Sequence, residues 1–214
     1  MCNRFVGILL LICLSISIEG FAQTSLMLGG RLGANYTSFS SAEAFKPFYS
    51  GSFRPTASFD AVYSFNNKLS IQSGAGYYHT SQKRINFQNE FLGISVPVLL
   101  SWDFSKKETE AKLFPFVSLG GEGIYILKAI HIEDNRKESI MRFVNPLQGN
   151  LVLEGGIKRL LANNQILLLG LTSKIGVSRF PTGGFHPLYP RLRPFQIGLN
   201  AGWRWQMSTN NKKK

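Results

Sequence analysis

Cysteine is nearly missing: of the 214 residues only Cys2 and Cys13 are cysteines, and there are just 3 histidines. Acidic residues are scarce too, with 12 Asp plus Glu against 24 Lys plus Arg and a formal net charge of +12. Past the first two dozen residues, no apolar run approaches the ~20 residues that carry a helix across a bilayer. The last absence argues against a helical membrane bundle. A disordered chain is excluded as well, because 13% aromatic residues is far too much apolar surface to leave unfolded.

The N-terminus has the layout of a secretory signal peptide. Arg4 precedes the apolar stretch Phe5 to Leu14, and Ile18-Glu19-Gly20-Phe21-Ala22 places small residues at −3 and −1 ahead of Gln23. Cys13 follows Ile12, where a lipoprotein would have a small residue. The expected division is a signal peptide over 1–22, a single domain over 23–207 and a basic tail over 208–214. Both cysteines lie in the first part. The exported chain then has no thiol, which excludes disulfides, thiolate catalysis and cysteine-bound metal.

What is present is a two-residue period, the mark of strands with unlike faces. Between Phe53 and Phe65 one face reads Phe53, Pro55, Ala57, Phe59, Ala61, Tyr63, Phe65, and the other Arg54, Thr56, Ser58, Asp60, Val62, Ser64. Eight such segments follow one another: 26–36, 53–65, 69–80, 92–104, 114–127, 147–159, 165–178 and 195–207. Most run to a dozen residues, about twice the ~5–6 of a soluble strand. That length suits a tilted strand crossing a bilayer. Tyr36, Tyr63, Phe65, Tyr77, Trp102, Tyr125, Trp203 and Trp205 fall toward segment ends, where aromatic belts meet the two membrane interfaces.

The connections alternate. Asn66-Asn67-Lys68 and 160–164 are tight and 105–113 is somewhat longer, whereas 37–52, 81–91, 128–146 and 179–194 are long. The pattern predicts an all-β fold: an eight-stranded antiparallel up-and-down transmembrane β-barrel with short periplasmic turns and long external loops. An interior of this size is filled by side chains. Arg31, Arg54, Asp60, Asp103, Glu122, Glu154, Lys158, Lys174 and Arg204 are expected to point inward and to pair with one another, since single buried charges are costly. That network would be structural.

The segment Gly29-Gly30-Arg31-Leu32-Gly33-Ala34-Asn35, the Pro-containing strand Ile94-Ser95-Val96-Pro97-Val98-Leu99-Leu100 and the Gly-rich Pro115-Phe116-Val117-Ser118-Leu119-Gly120-Gly121 resemble the PorT-like outer-membrane β-barrel proteins of Bacteroidetes, often labelled porins. The likeness covers essentially the whole exported chain. It implies residence in the Gram-negative outer membrane and a part in protein secretion or envelope integrity. The chain differs from many outer-membrane proteins at its end, where Trp203-Arg204-Trp205-Gln206-Met207 is followed by Ser208 to Lys214 instead of closing on an aromatic residue.

No catalytic residue, cofactor or metal is assigned. His79, His131 and His186 lie at segment ends or in loops, without an Asp/Glu and Ser at a telling spacing. His131-Ile132-Glu133-Asp134 reads as an exposed polar loop. The alternatives are a hydrolase that modifies lipid A and a narrow solute channel. Expected partners are outer-membrane lipid and lipopolysaccharide, the barrel-insertion machinery, and a secretion-system or envelope protein. Lys83-Arg84, Arg136-Lys137, Arg142, Arg179, Arg191 and Arg193 would meet lipopolysaccharide phosphates, which guanidinium groups bind well. Lys212-Lys213-Lys214 reads as a solvated periplasmic tail, and nucleic acid is not expected to bind.

Overall fold

The computed structural model describes residues 25–40, 51–66, 68–83, 87–104, 113–134, 136–161, 164–177 and 193–207. Nine strands run through them: β1 Ser25–Ser40, β2 Ser52–Ser64, β3 Leu69–Lys83, β4 Phe87–Asp103, β5 Leu113–Glu133, β6 Arg136–Ser139, β7 Leu147–Leu160, β8 Gln165–Gly176 and β9 Arg193–Met207. All pairings are antiparallel. Eight of the strands form a closed ring in chain order, with β9 returning to β1 and β4 joined to β5. The short β6 makes a hairpin with the end of β5, and the 3-10 turn Met141–Phe143 follows it.

Closure sets the shape. Registered neighbours lead from Leu26 to Tyr63, Ile71, Leu100, Leu119, Leu153, Ser173 and Ile197. From Ile197 the path returns to β1 at Tyr36, ten residues beyond its start. Such a stagger requires strands tilted by about 35–45° to the axis and leaves room inside for side chains only.

The two faces of the wall are opposite in kind. Leu119 is 62% exposed and Leu153 52%, while Glu154 is 1% and Arg204 2% exposed. A soluble barrel would have the reverse arrangement, since apolar burial is what drives its folding.

Tight crossings and ladder gaps have local causes. A Cβ at Gly74 would lie 2.0 Å from the Phe59 carbonyl oxygen, so only glycine lets β2 and β3 approach there. Pro97 cannot donate to a ladder, and the β3–β4 pairing stops at Ser73↔Val98 and resumes at Gly76↔Ser95. In the β2–β3 turn the Asn66 Oδ1 accepts the N–H groups of Lys68 at 2.9 Å and Leu69 at 2.7 Å. Asn164 turns the chain from β7 to β8 with φ of 59°, a left-handed conformation that asparagine tolerates.

Several strands outrun the boundaries expected from alternation. β3 and β4 continue as a hairpin to Lys83 and Phe87, and β5 continues to Glu133 to pair with β6. Segments 81–91 and 128–146, expected as loops, are therefore partly strand. Beyond the apolar belt neither face has to be oily, so the ladder goes on after the period fades.

A second core sits inside the loop-side mouth. Phe39, Tyr78, Phe91, Ile124, Ile126, Ala129 and Val144 are buried together, with Ile140 and Met141 packed against them. The register slips between Leu92 and Gly93, leaving Leu127 as an extra residue in β5. Such a bulge bends a strand. It lies between Ile126 and Ala129, two members of this apolar cap.

Candidate functional site: the lumen network

Arg31 on β1 is the hub of the interior. Its Nε donates to Asp60 on β2, and its Nη1 donates to Glu154 on β7 at 2.5 Å. Asp60 also accepts from Arg204 Nη2 on β9 at 3.3 Å, and the same nitrogen donates to Gln72 Oε1 on β3 at 2.7 Å. Two guanidinium groups and two carboxylates thus close one cluster, each side chain nearly or fully buried. Pairing at this density is what allows charge to be buried at all.

Two satellite pairs flank the hub. Toward the turns, Lys158 Nζ donates to Asp103 at 2.5 Å and lies 4.7 Å above the Phe116 ring. Toward the loops, Lys174 Nζ donates to Glu122 Oε1 at 2.7 Å, and Asn150 Nδ2 donates to the other oxygen at 2.9 Å. Neutral groups fill the remaining positions, among them Asn200 with Thr172 at 2.7 Å and Ser118 with Ser101 at 2.8 Å. The expected network held only charged residues and did not include these amides and hydroxyls. Alternation shows which face a residue takes, not which strand its partner comes from.

Arg54 stands apart from the other eight. Its Nη2 donates to Ser81 Oγ at 2.9 Å and reaches Glu90 at 3.3 Å. Continuous β3–β4 register puts Ser81 and Glu90 on the same outer face as Tyr77 and Ile94. Arg54 therefore serves the outer rim above the apolar belt, and the central cluster is built without it.

The space between these groups is small. A cavity of about 90 Å³ is bordered by Arg31, Asp60, Tyr78, Glu122, Glu154 and Lys174. It has room for a few waters, each occupying roughly 30 Å³ in the liquid. Arg31 Nη2, Arg204 Nε and Asn200 Oδ1 are buried with no hydrogen-bond partner in the protein, so the polar character suits hydration. The geometry can hold charge, bind water and brace strands against one another.

Tyr36, Tyr63, Phe65, Tyr77, Trp102, Tyr125, Trp203 and Trp205 are all exposed on the outer wall. Tyr63 stacks edge-on with Phe65, and Trp203 lies 6.4 Å from Trp205, both pairs toward the turns. Tyr36 and Phe53 meet at 5.0 Å toward the loops.

His131 Nδ1 lies 2.7 Å from Asn89, and its Nε2 lies 3.4 Å from Glu133. No group of three His, Asp or Glu side chains converges as a metal site among the described residues. The segments 1–22 and 208–214, with Arg84, Arg179, His186 and Arg191, lie outside the described residues.

No protein-family model matches the chain, and no curated protein matches it. Among solved structures it is similar to Neisserial surface protein A, at 14% identity and a TM-score of 0.53, over 86% of this chain and 99% of that one. It is also similar to the outer membrane protein OprG from Pseudomonas aeruginosa, at 11% identity and a TM-score of 0.52, over 89% of this chain and 98% of that one. At such identities the likeness is one of architecture: this chain is a closed eight-stranded antiparallel up-and-down β-barrel.

Proposed function

We propose that the protein resides in an outer membrane after signal-directed export and works there as a structural or interaction protein, not as an enzyme or an open pore. The belt of exposed Leu, Ile, Val and aromatic side chains fits hydrocarbon between two interfaces. The two solved structures with the same architecture, one of them an outer membrane protein by name, support that location.

One observation carries the reading of the lumen. The Arg31–Asp60–Glu154–Arg204 cluster ties β1, β2, β7 and β9 together through the middle of the barrel. An ion moving along the axis would have to break buried ion pairs, which costs several kcal/mol for each charge left alone, about 3–5. Bracing is what such a cluster does well.

The PorT-like resemblance makes assistance to protein secretion the most specific version of this reading, with partners meeting the loops or turns. Basic side chains near the loops would contact lipopolysaccharide phosphates. The test is reconstitution in planar bilayers, followed by cross-linking in intact outer membranes. The expected result is no stable conductance together with one recurrent envelope-protein adduct. A steady ohmic current would overturn the sealed-lumen reading.

A further inference from the structure

The wall is not continuous between β2 and β3. Their ladder runs from Ser64↔Ser70 to Ala57↔Tyr77 and stops, although β2 goes on to Ser52 and β3 to Lys83. Above that point β2 stays paired to β1 as far as Ser52, and β3 stays paired to β4 as far as Lys83. The two strands thus part only from each other. Pro55 lies in the parted stretch of β2. Having no N–H, proline belongs on a strand edge that no neighbour occupies.

Side chains replace the missing ladder. Ser52 Oγ donates to the Ser81 carbonyl at 3.0 Å, and Arg54 spans to Ser81 Oγ and Glu90. Arg54 Nε, His79 Nε2 and Thr80 Oγ1 are buried here with no hydrogen-bond partner in the protein. Buried polar atoms of this kind ordinarily have partners, so three along one parted seam need an explanation. The lumen cavity reaches the same seam, bordered by Thr56, Ala57 and Ser58 on one edge and by Tyr77, Tyr78 and His79 on the other. Ala57 and Tyr77 are exposed on the outer wall, whereas Tyr78 is buried inside. Among the described residues the apolar cap closes the mouth above and the ion-pair cluster crosses the barrel below.

We infer that the β2–β3 seam is a lateral portal that takes the oxyanion head of a single-chain amphiphile from the surrounding bilayer. The head accepts hydrogen bonds from Arg54 Nε and His79 Nε2, while the alkyl chain stays outside along Phe53, Pro55 and Tyr77. Carboxylate and phosphate heads share this chemistry. The inference rests on the membrane reading above.

The test uses the exported chain reconstituted in phosphatidylcholine liposomes, with a palmitate probe bearing a diazirine beside its carboxylate. Photolabel is expected on residues 53–58 and 77–81. Unlabelled palmitate or hexadecyl phosphate should compete, and acetate or inorganic phosphate should not. The matching hexadecanol probe should label about tenfold less, the loss of one charge-assisted hydrogen bond. Arg54→Gln should reduce labelling comparably. Ala57→Trp, on an exposed outer position where bulk does not threaten folding, should block it. Even labelling around the whole belt, labelling unchanged by both variants, competition by acetate, or a seam cross-linked to a second copy would each overturn the portal. Failure to enter liposomes would sink the membrane reading; entry followed by even labelling would sink the portal alone.

Discussion

Arg31 and Glu154, 123 residues apart in the chain, meet at 2.5 Å across the barrel interior. The same guanidinium holds Asp60, so one side chain couples the first two strands to the far wall. Glu154→Ala strands Arg31 half-paired in a buried site and should cost about 3–5 kcal/mol. Glu154→Gln keeps a hydrogen-bond acceptor and should cost less, about 1–3 kcal/mol. Replacing both residues by leucine should restore much of the loss, because an apolar pair leaves no orphan charge. Urea midpoints of the refolded protein in lipid would rank the three variants.

The outer belt predicts a dependence on depth. Leu153, 52% exposed and midway along β7, should tolerate arginine poorly, at about 2–4 kcal/mol. Leu160, at the turn end of the same strand, should tolerate it for about 0–1 kcal/mol. Equal costs at the two positions, read from the same unfolding curves, would mean that no hydrocarbon slab surrounds the wall.

Two glycines in the wall should behave differently. Gly74→Ala drives a methyl group to within 2.0 Å of the Phe59 carbonyl, and the forced shift should cost about 1–3 kcal/mol. At Gly121 the nearest atom to an added Cβ is 3.8 Å away. Gly121→Ala should therefore be neutral or slightly stabilising, since it only narrows the unfolded ensemble. The fraction of folded, compact band on unheated gels separates them.

Phe91 is fully buried at the centre of the apolar cap. Phe91→Ala should cost about 3–5 kcal/mol, the range for truncating a core phenylalanine. Amide exchange should show the loss first in the hairpin ends of β3–β4 and β5–β6, because the cap is what packs them down.

Much of this architecture is written in alternation. Phe53, Phe59 and Tyr63 against Asp60 and Ser64 already separates the two sides of β2, and the same holds for Leu153 against Glu154. The cap was less visible, yet it left a mark. At Tyr77-Tyr78 and Ile124-Tyr125-Ile126 both faces turn apolar together, which a polar-filled bore would not require. Arg54, expected to pair within the inward set, meets Ser81 and Glu90 instead, because a period of two gives the side of its strand, not the loss of the neighbouring ladder above Ala57. Pro55 was the local hint of that loss. Partner choice across the bore, as between Asp60 and Arg204, follows from closure and stagger, which no single segment encodes.

The ten-residue offset on returning from Leu26 to Tyr36 has a consequence for how such a chain can change length. Its parity is even, so every circuit brings an oily position back to an oily position. Deleting one residue within a strand would turn everything beyond it inside out, unless a local irregularity like that at Leu127 absorbs the error. Indels inside the wall should therefore be accepted in pairs, whereas the connecting segments face no such arithmetic.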